Sequence, residues 1–443
     1  VPGHVENTDM AYALFILVNA TLFIRPAEIV PSLEGLPIYN VLISACLVIS
    51  FPKIISQWTS QSLDENPLHV CVLGIFTTIM LSHLVHMNFL MARSGGLEFF
   101  KIVLYYFLLI AVIDTPARLL RFLWFLVGFT IVLTVLALLH YHSVLSIPAL
   151  EAVYDQGLDA SGNKIGILRL CSTGIYNDPN DLCLILVVAM GICSFGVGHP
   201  RFGMLRPLWI PPLLLFGYAL TKTYSRGGFM AMLMAMMVLF QARFGLRKAL
   251  MLGAVALPLV LVVFGGRQTK ISTEESTGQD RIQLWAQGIR LLGQEPLFGI
   301  GQHRFVEEVG LVAHNSYVHA FTELGFIGGA LFLGMFYYAL AALHCLGAYQ
   351  DVIRDPDLKL LRPYLMAIIA AYGTGLLTIS RNYIAPTYMI FAIVTVYLQL
   401  ATKDSPVAPR RLGNNLIHHF VAAGILFIMI IYLFTRLFAR FGA

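Results

Sequence analysis

The sequence predicts an all-α, polytopic transmembrane helical bundle of about 12 spans with a partly helical outer loop. Three observations carry that expectation. Of the 443 residues, 58% are hydrophobic and only 12% are charged, about half the charged fraction usual in soluble domains. Apolar runs recur along the whole chain, and the mean hydropathy is +0.76. Basic residues gather in the short connections between those runs, as topology determinants do. The net charge of +5 is too small and too dispersed for a nucleic-acid surface. Residues 1–443 therefore read as a single transmembrane domain.

Candidate spans begin with 10–24, 37–51, 68–86, 101–114 and 123–140. They continue with 181–197, 208–222, 228–242 and 249–265, and end with 316–342, 363–380, 383–401 and 417–435. Several are shorter than the ~20 residues of a full crossing, so their ends are soft. The first run is flanked by Glu6 and Asp9 instead of the basic residues of a secretory leader, which predicts no cleavable signal peptide. Met10 is a candidate native start, and residues 1–9 would then be foreign to the chain. The two longest polar segments, 141–180 and 266–315, predict outer loops, the second being the main one.

The cysteines argue against a disulfide or zinc framework. Cys46, Cys71, Cys183, Cys193 and Cys345 lie in apolar runs, where the thiol acts as a small hydrophobe. Cys171 lies in a polar loop, and no CxxC pair exists.

Charge orients the spans. Arg118 with Arg121, Arg201 with Arg206, Arg243 with Arg247 and Lys248, and Lys403 with Arg410 and Arg411 occupy four short loops. Alternation puts all four on one side, which the excess of basic residues makes cytoplasmic. Segments 141–180, 222–227 and 266–315 then share the outer face. The last span departs from this pattern, because it leaves Arg436 and Arg440 outside.

Four polar groups fall on that outer side. Lys222 and Arg226 flank Thr223-Tyr224-Ser225 and precede Gly227-Gly228. On a continuous helix their spacing would put both cations on one face. They form a candidate anion site, with snorkelling interfacial cations as the alternative. Arg281, in Gln279-Asp280-Arg281 before Trp285, is a second candidate anion ligand on an amphipathic loop helix, since a guanidinium forks onto phosphate oxygens. Its alternative is an ion pair with Glu274. Arg169, followed by Asn177-Asp178-Pro179-Asn180-Asp181, adds a third arginine and polar groups for a sugar. The Asn177–Asp181 stretch alone reads as a turn and helix cap.

The fourth group is His314-Asn315, which opens an apolar run. Asn315 is a candidate N-cap. His314, whose ordinary pKa lies near operating pH, is a candidate general base. Alone it reads first as an interfacial histidine that only hydrogen-bonds, and the general-base reading comes second. His319 and Glu323, four apart, are expected to pair inside the bundle. Gly325, Gly328 and Gly329 are expected to let a neighbouring helix approach closely.

In order, these residues resemble the O-antigen ligase and polymerase superfamily of bacterial membrane glycosyltransferases. His314 and Asn315, nine residues, then Gly325 and Gly328 match its ligase signature. Ser225-Arg226-Gly227 is similar to its arginine-bearing helix end. Asp280-Arg281 with Trp285, Pro296, Gly299 and Gly301 is similar to its outer-loop pattern, and Asn177–Asp181 to its Asn-Pro-Asn element. The resemblance runs over about 165–330 and is only hydropathic elsewhere.

The resemblance implies a transferase of lipopolysaccharide or polysaccharide biosynthesis in the cell envelope. Its donor would be a glycan linked to undecaprenyl diphosphate, and it would act without metal or cofactor at the periplasmic face of the inner membrane. The acceptor would be a lipid or glycan hydroxyl such as that of lipid A-core. Arg226 and Arg281, with Lys222 and Arg169, would hold the diphosphate, and His314 would activate the acceptor. Asn315, Ser225, Asn180 and Trp285 would support them. A polymerase of lipid-linked repeats and a protein O-oligosaccharyltransferase share these motifs. A lipid-linked glycan transporter is the more distant reading, and the chain shows no internal repeat of the kind many transporters carry.

Overall fold

A computed structural model describes residues 2–60, 63–158, 164–263, 276–348, 353–403 and 412–439. The chain is helical almost throughout. Its helices are α1 (Pro2–Ile24), α2 (Pro26–Ile29), α3 (Ile38–Ser60), α4 (Pro67–Leu84), α5 (Phe89–Val112) and α6 (Pro116–Tyr141). A two-stranded antiparallel hairpin follows, β1 (Val153–Leu158) and β2 (Lys164–Arg169), in which Val153 opposes Arg169. Then come α7 (Pro179–Gly198), α8 (Ile210–Lys222), α9 (Arg226–Val263), α10 (Ser276–Gln294), α11 (Arg304–Val309), α12 (Ser316–Ala348), α13 (Pro356–Gly375), α14 (Ala385–Thr402) and α15 (Asn414–Phe438).

Local chemistry sets many of the starts. Pro116, Pro179 and Pro386 sit in the first helical positions of α6, α7 and α14, where a missing N–H costs nothing. The Thr115 hydroxyl accepts the Arg118 N–H at the start of α6, and the Asp178 carboxylate accepts the Asn180 N–H at the start of α7. Each satisfies one of the orphan donors of a helix N-terminus.

Among the described residues, ten helices are long and apolar enough to cross a membrane, which makes this a multi-pass membrane protein. The other predicted spans take different forms. Segment 208–222 corresponds to α8, which has 13 residues. The described part of 249–265 continues α9 beyond Gly245, whose φ of 77° interrupts the helical backbone. Segment 363–380 falls on α13, which begins with Asp357, Lys359 and Arg362 and is not among the ten. The hairpin lies in 141–180, where the sequence predicted only a loop.

The chain divides into two compact units. The first comprises 1–52, 112–271 and 354–375. Within it α13 packs on α9 and α7, α7 also packs on α8 and α6, and α1 lies on α6. Its core includes Phe15, Phe23, Phe122, Phe195 and Phe216, all fully buried. The second unit comprises 53–111, 272–353 and 376–443. Within it α12 packs on α4, α15, α10 and α14. All six cysteines are free thiols. Cys171, outside the spans, is buried, and burial pushes its thiol above the ordinary range. It is therefore a poor nucleophile.

Candidate active site

In the first unit the predicted cations surround the turn between α8 and α9. The segment between the predicted spans 208–222 and 228–242 is a break between helices, so Lys222 and Arg226 do not share one helix face. The α8 helix ends at Lys222, Tyr224 takes a left-handed backbone with φ 49°, and α9 starts at Arg226. Local hydrogen bonding explains the break. The Thr223 hydroxyl donates to the Leu220 carbonyl at 2.7 Å, and the Ser225 hydroxyl accepts the Gly228 N–H at 3.1 Å. Ser225 thus caps α9. Lys222 and Arg226 sit on different helices at either end of a three-residue connection, and both are half-buried. The Lys222 ammonium lies 5.3 Å from the Tyr218 ring centroid, a cation–π contact. The space beside Gly228 is filled by the Cys183 side chain, so this glycine serves helix packing.

Arg169, the last residue of β2, reaches the same turn. Its Nε donates to the Thr223 carbonyl at 2.8 Å, and one terminal nitrogen donates to the Asn180 side-chain oxygen at 3.2 Å. The other faces the Asp155 carboxylate of β1 at 3.4 Å. The same Asn180 oxygen accepts the Ser225 hydroxyl at 2.7 Å.

In the second unit, the predicted loop helix is α10. Ile282, Leu284, Leu291 and Leu292 are buried, while Asp280 and Arg290 are exposed, the two-faced pattern expected of an amphipathic helix. Arg281 lies in its second turn and is half-buried. Glu274, the alternative partner of Arg281, lies outside the described residues. The Trp285 indole N–H donates to the Ala313 carbonyl at 2.9 Å, which ties α10 to the residue before His314.

His314 has φ 49°. Left-handed backbone is uncommon for a residue with a side chain and costs of order 1–2 kcal/mol. The contacts on either side hold it there. Ala313 is fixed from α10, and the Asn315 side-chain oxygen accepts the N–H groups of Tyr317 and Val318 at 3.0 and 3.2 Å. Asn315, 1% exposed, is therefore the N-cap of α12, as its sequence position predicts. Beneath it Leu284, Phe305, Ala313 and Val318 form one buried cluster with Ile431.

The predicted His319–Glu323 pair forms, with His319 Nε2 2.9 Å from the Glu323 carboxylate. That carboxylate also accepts the Phe305 N–H at 3.2 Å, and Glu323 is wholly buried. Removing one partner of such a pair leaves an uncompensated charge, at a cost of about 3 kcal/mol. His319→Leu is therefore expected to lower the thermal midpoint of the purified protein much more than Glu323→Gln, whose amide oxygen still accepts from Phe305. Equal midpoints for the two variants would contradict the pairing.

Gly325 differs from its expected role. It does not seat a helix. Its φ of 67° and ψ of −169° break α12, and the turn 296–301 enters the break. Phe326 N–H donates to the Pro296 carbonyl at 2.8 Å, Ile300 N–H to Thr322 at 3.1 Å, and Gly301 N–H to Glu323 at 3.0 Å. A side chain on Gly325 would collide with the Leu297 carbonyl, and one on Gly299 with the Glu323 carbonyl. Leu297, Phe298 and Gly299 thus lie directly against Gly325, while Pro296 and Gly301 bond the residues on either side of it. The sequence shows the small residues but not which backbone they meet. Gly328 faces Thr78 of α4, a helix contact of the kind expected.

Sequence reasoning missed Arg381. It lies in the connection between α13 and α14, and its N–H donates to the Ser316 hydroxyl at 2.8 Å. That hydroxyl donates in turn to the Ile379 carbonyl at 2.6 Å. The connection is thereby fastened to the first residue of α12, two positions after His314. The signal was the polar triplet Ser380-Arg381-Asn382 between two apolar runs. Among the described residues, no three His, Cys, Asp or Glu side chains group in a way that could hold a metal ion.

Residues 211–333 match the family model described as O-Antigen ligase. No curated protein matches the chain. The matched segment is similar to the superfamily that the ordered motifs resemble.

Proposed function

We propose a ligase-type glycosyl transfer at a membrane, supported by the O-Antigen ligase match over residues 211–333. A glycan moves from an undecaprenyl diphosphate-linked donor to an acceptor hydroxyl, such as that of lipid A-core, at the periplasmic face of the bacterial inner membrane. The observation that carries the reading is that Lys222, Ser225, Arg226, Arg281, Trp285, His314 and Asn315 all fall within the matched residues 211–333. Arg169 and Asn180 precede them.

In this reading Arg226, Arg281 and Lys222 hold the donor diphosphate, and Arg169 adds positive charge behind the α8–α9 turn. His314 takes the proton of the acceptor hydroxyl as its oxygen bonds the anomeric carbon. The bond from that carbon to the diphosphate oxygen breaks, and the leaving group carries the electron pair away. Fixed cations stabilise that developing charge without reorganising, so the reaction proceeds without a metal ion. A positioned base contributes roughly 100- to 10,000-fold.

The test is purified protein in nanodiscs, a lipid diphosphate-linked glycan and three acceptors: lipid A-core, a second lipid-linked glycan and a serine-bearing protein. Transfer to the first supports ligation. Transfer only to the second or third would make the protein a polymerase or a protein O-oligosaccharyltransferase. Movement of the glycolipid across vesicles without transfer would make it a transporter. Arg226→Ala and Arg281→Ala are each expected to weaken undecaprenyl diphosphate binding about tenfold, the weight of one charge-assisted contact of ~1.5 kcal/mol. Wild-type affinity in both would remove the diphosphate assignment.

A further inference from the structure

We propose that Arg169 and Asn180 are positioning residues that fix the Arg226 end of α9 through Ser225, and that the β1–β2 hairpin exists to hold Arg169 in that role. This rests on the reading of Arg226 as a diphosphate ligand and assigns a different task to Arg169.

The geometry is a continuous hydrogen-bonded chain within the first unit. It starts at Asp155 on β1, which faces the Arg169 guanidinium at 3.4 Å. Arg169 sits directly across the hairpin from Val153, two residues before Asp155. The arginine side chain is 11% exposed, and three of its nitrogens are directed at fixed protein acceptors: Asp155, Asn180 and the Thr223 carbonyl. Thr223 is the C-cap of α8, so the guanidinium meets the negative end of that helix, a favourable place for a cation.

Asn180 is the junction. Asp178 accepts both its backbone N–H and its side-chain amide, at 2.7 and 2.9 Å. That fixes the orientation of its side-chain oxygen, which accepts from both Arg169 and Ser225. The Ser225 hydroxyl then caps α9 through Gly228. A backbone bond from the Leu170 N–H to the Lys222 carbonyl at 2.9 Å runs alongside. The hairpin, the start of α7, the end of α8 and the start of α9 are thereby joined at one point.

The connection needs this support. Tyr224 is left-handed, a conformation that persists only where its surroundings over-determine it. Arg226 follows two residues later, so the position of the proposed ligand depends on the turn. A ligand held in place binds more tightly than one ordered on binding. A planar fork can bridge Thr223 and Asn180 at once, whereas a lysine ammonium offers charge without that geometry. Asn180 carries no charge, so its loss separates positioning from charge.

The experiment measures binding of undecaprenyl diphosphate to the full chain in nanodiscs. The variants are Arg226→Ala, Arg169→Lys, Asn180→Ala and the doubles Arg169→Lys/Arg226→Ala and Asn180→Ala/Arg226→Ala. Arg169→Lys and Asn180→Ala are each expected to lower affinity five- to tenfold. Each double is expected to match Arg226→Ala within twofold, because both act through the same residue. Hydrogen exchange at Arg226–Gly228 provides a second readout and is expected to quicken in the milder Arg169→Lys even if Asn180→Ala folds poorly.

Wild-type affinity in both single variants, with Arg226→Ala weakened, would overturn the positioning role alone. So would additive losses in the doubles, or unchanged exchange at the turn in Arg169→Lys. Wild-type affinity in Arg226→Ala would overturn the ligand reading and this inference with it.

Discussion

Replacing His314 with asparagine is expected to lower kcat by roughly 100- to 10,000-fold, the range of a positioned general base, with undecaprenyl diphosphate affinity unchanged. Asparagine is the appropriate substitution because the position has φ 49°, and asparagine tolerates left-handed backbone better than most residues. Contacts on either side of the position come from neighbouring residues. Trp285 fixes the Ala313 carbonyl, and Asn315 caps α12 through its own side chain. Both contacts remain in the His314→Asn protein, which should therefore keep the fold around α12. A pH profile sharpens the result, because the rising limb of kcat/KM belongs to the base of the free enzyme and should vanish with it. Full turnover in His314→Asn would remove the base assignment and leave the histidine a structural or binding group.

The second large effect is on folding. Gly325→Val is expected to destabilise the protein by about 5 kcal/mol, at the upper end for one substitution. Two causes add. A β-branched residue is a poor fit to φ 67°, and its Cβ would overlap the Leu297 carbonyl and the Phe298 N–H. Neither of those backbone atoms is the far end of a flexible chain, so relief requires undocking the turn 296–301. That releases the bonds to Pro296, Thr322 and Glu323 and leaves buried carbonyls unpaired. Gly293→Ala is the control in the same unit. It lies within α10, and an added Cβ meets nothing within 4 Å, so the change should stabilise by up to ~1 kcal/mol. Thermal melts of the two purified variants give the comparison. A Gly325→Val protein with a wild-type melt would show that the turn is not locked there.

What could be read from the sequence divides along a physical line. Features decided by neighbours in the chain were legible. Asn315 caps α12, His319 meets Glu323 at a spacing of four, and α10 has two faces, each set by helical geometry over a few residues. Features decided by distant partners were not. The sequence shows a guanidinium at Arg169 but not the carbonyl of Thr223, which lies 54 residues away. It shows Gly325 as a small residue but not that an approaching loop, instead of a helix, needs the room. The hairpin was hidden because its strands are short and lie within a polar stretch. Arg381 was hidden because an apolar run on each side made its segment read as a boundary between spans. The break between Lys222 and Arg226 was legible too, since one apolar run ends and the next begins on either side of it, and Ser225 stands where a helix N-cap would stand.

The interruption at Gly325 also has a mechanical meaning. Bilayers differ in thickness by several Å, and long spanning helices answer by tilting. A continuous α12 would transmit such a tilt along its whole length to His314. Gly325 instead acts as a joint with two unequal arms. The short arm, Ser316–Leu324, is bonded to 296–301 and fastened at Ser316 to the α13–α14 connection. The long arm, from Phe326 to Ala348, is bonded to the same turn through Phe326 and Ile327, so both arms take their direction from 296–301. The start of α12, next to the proposed base, is thus aimed by a loop as well as by the axis of the helix that follows.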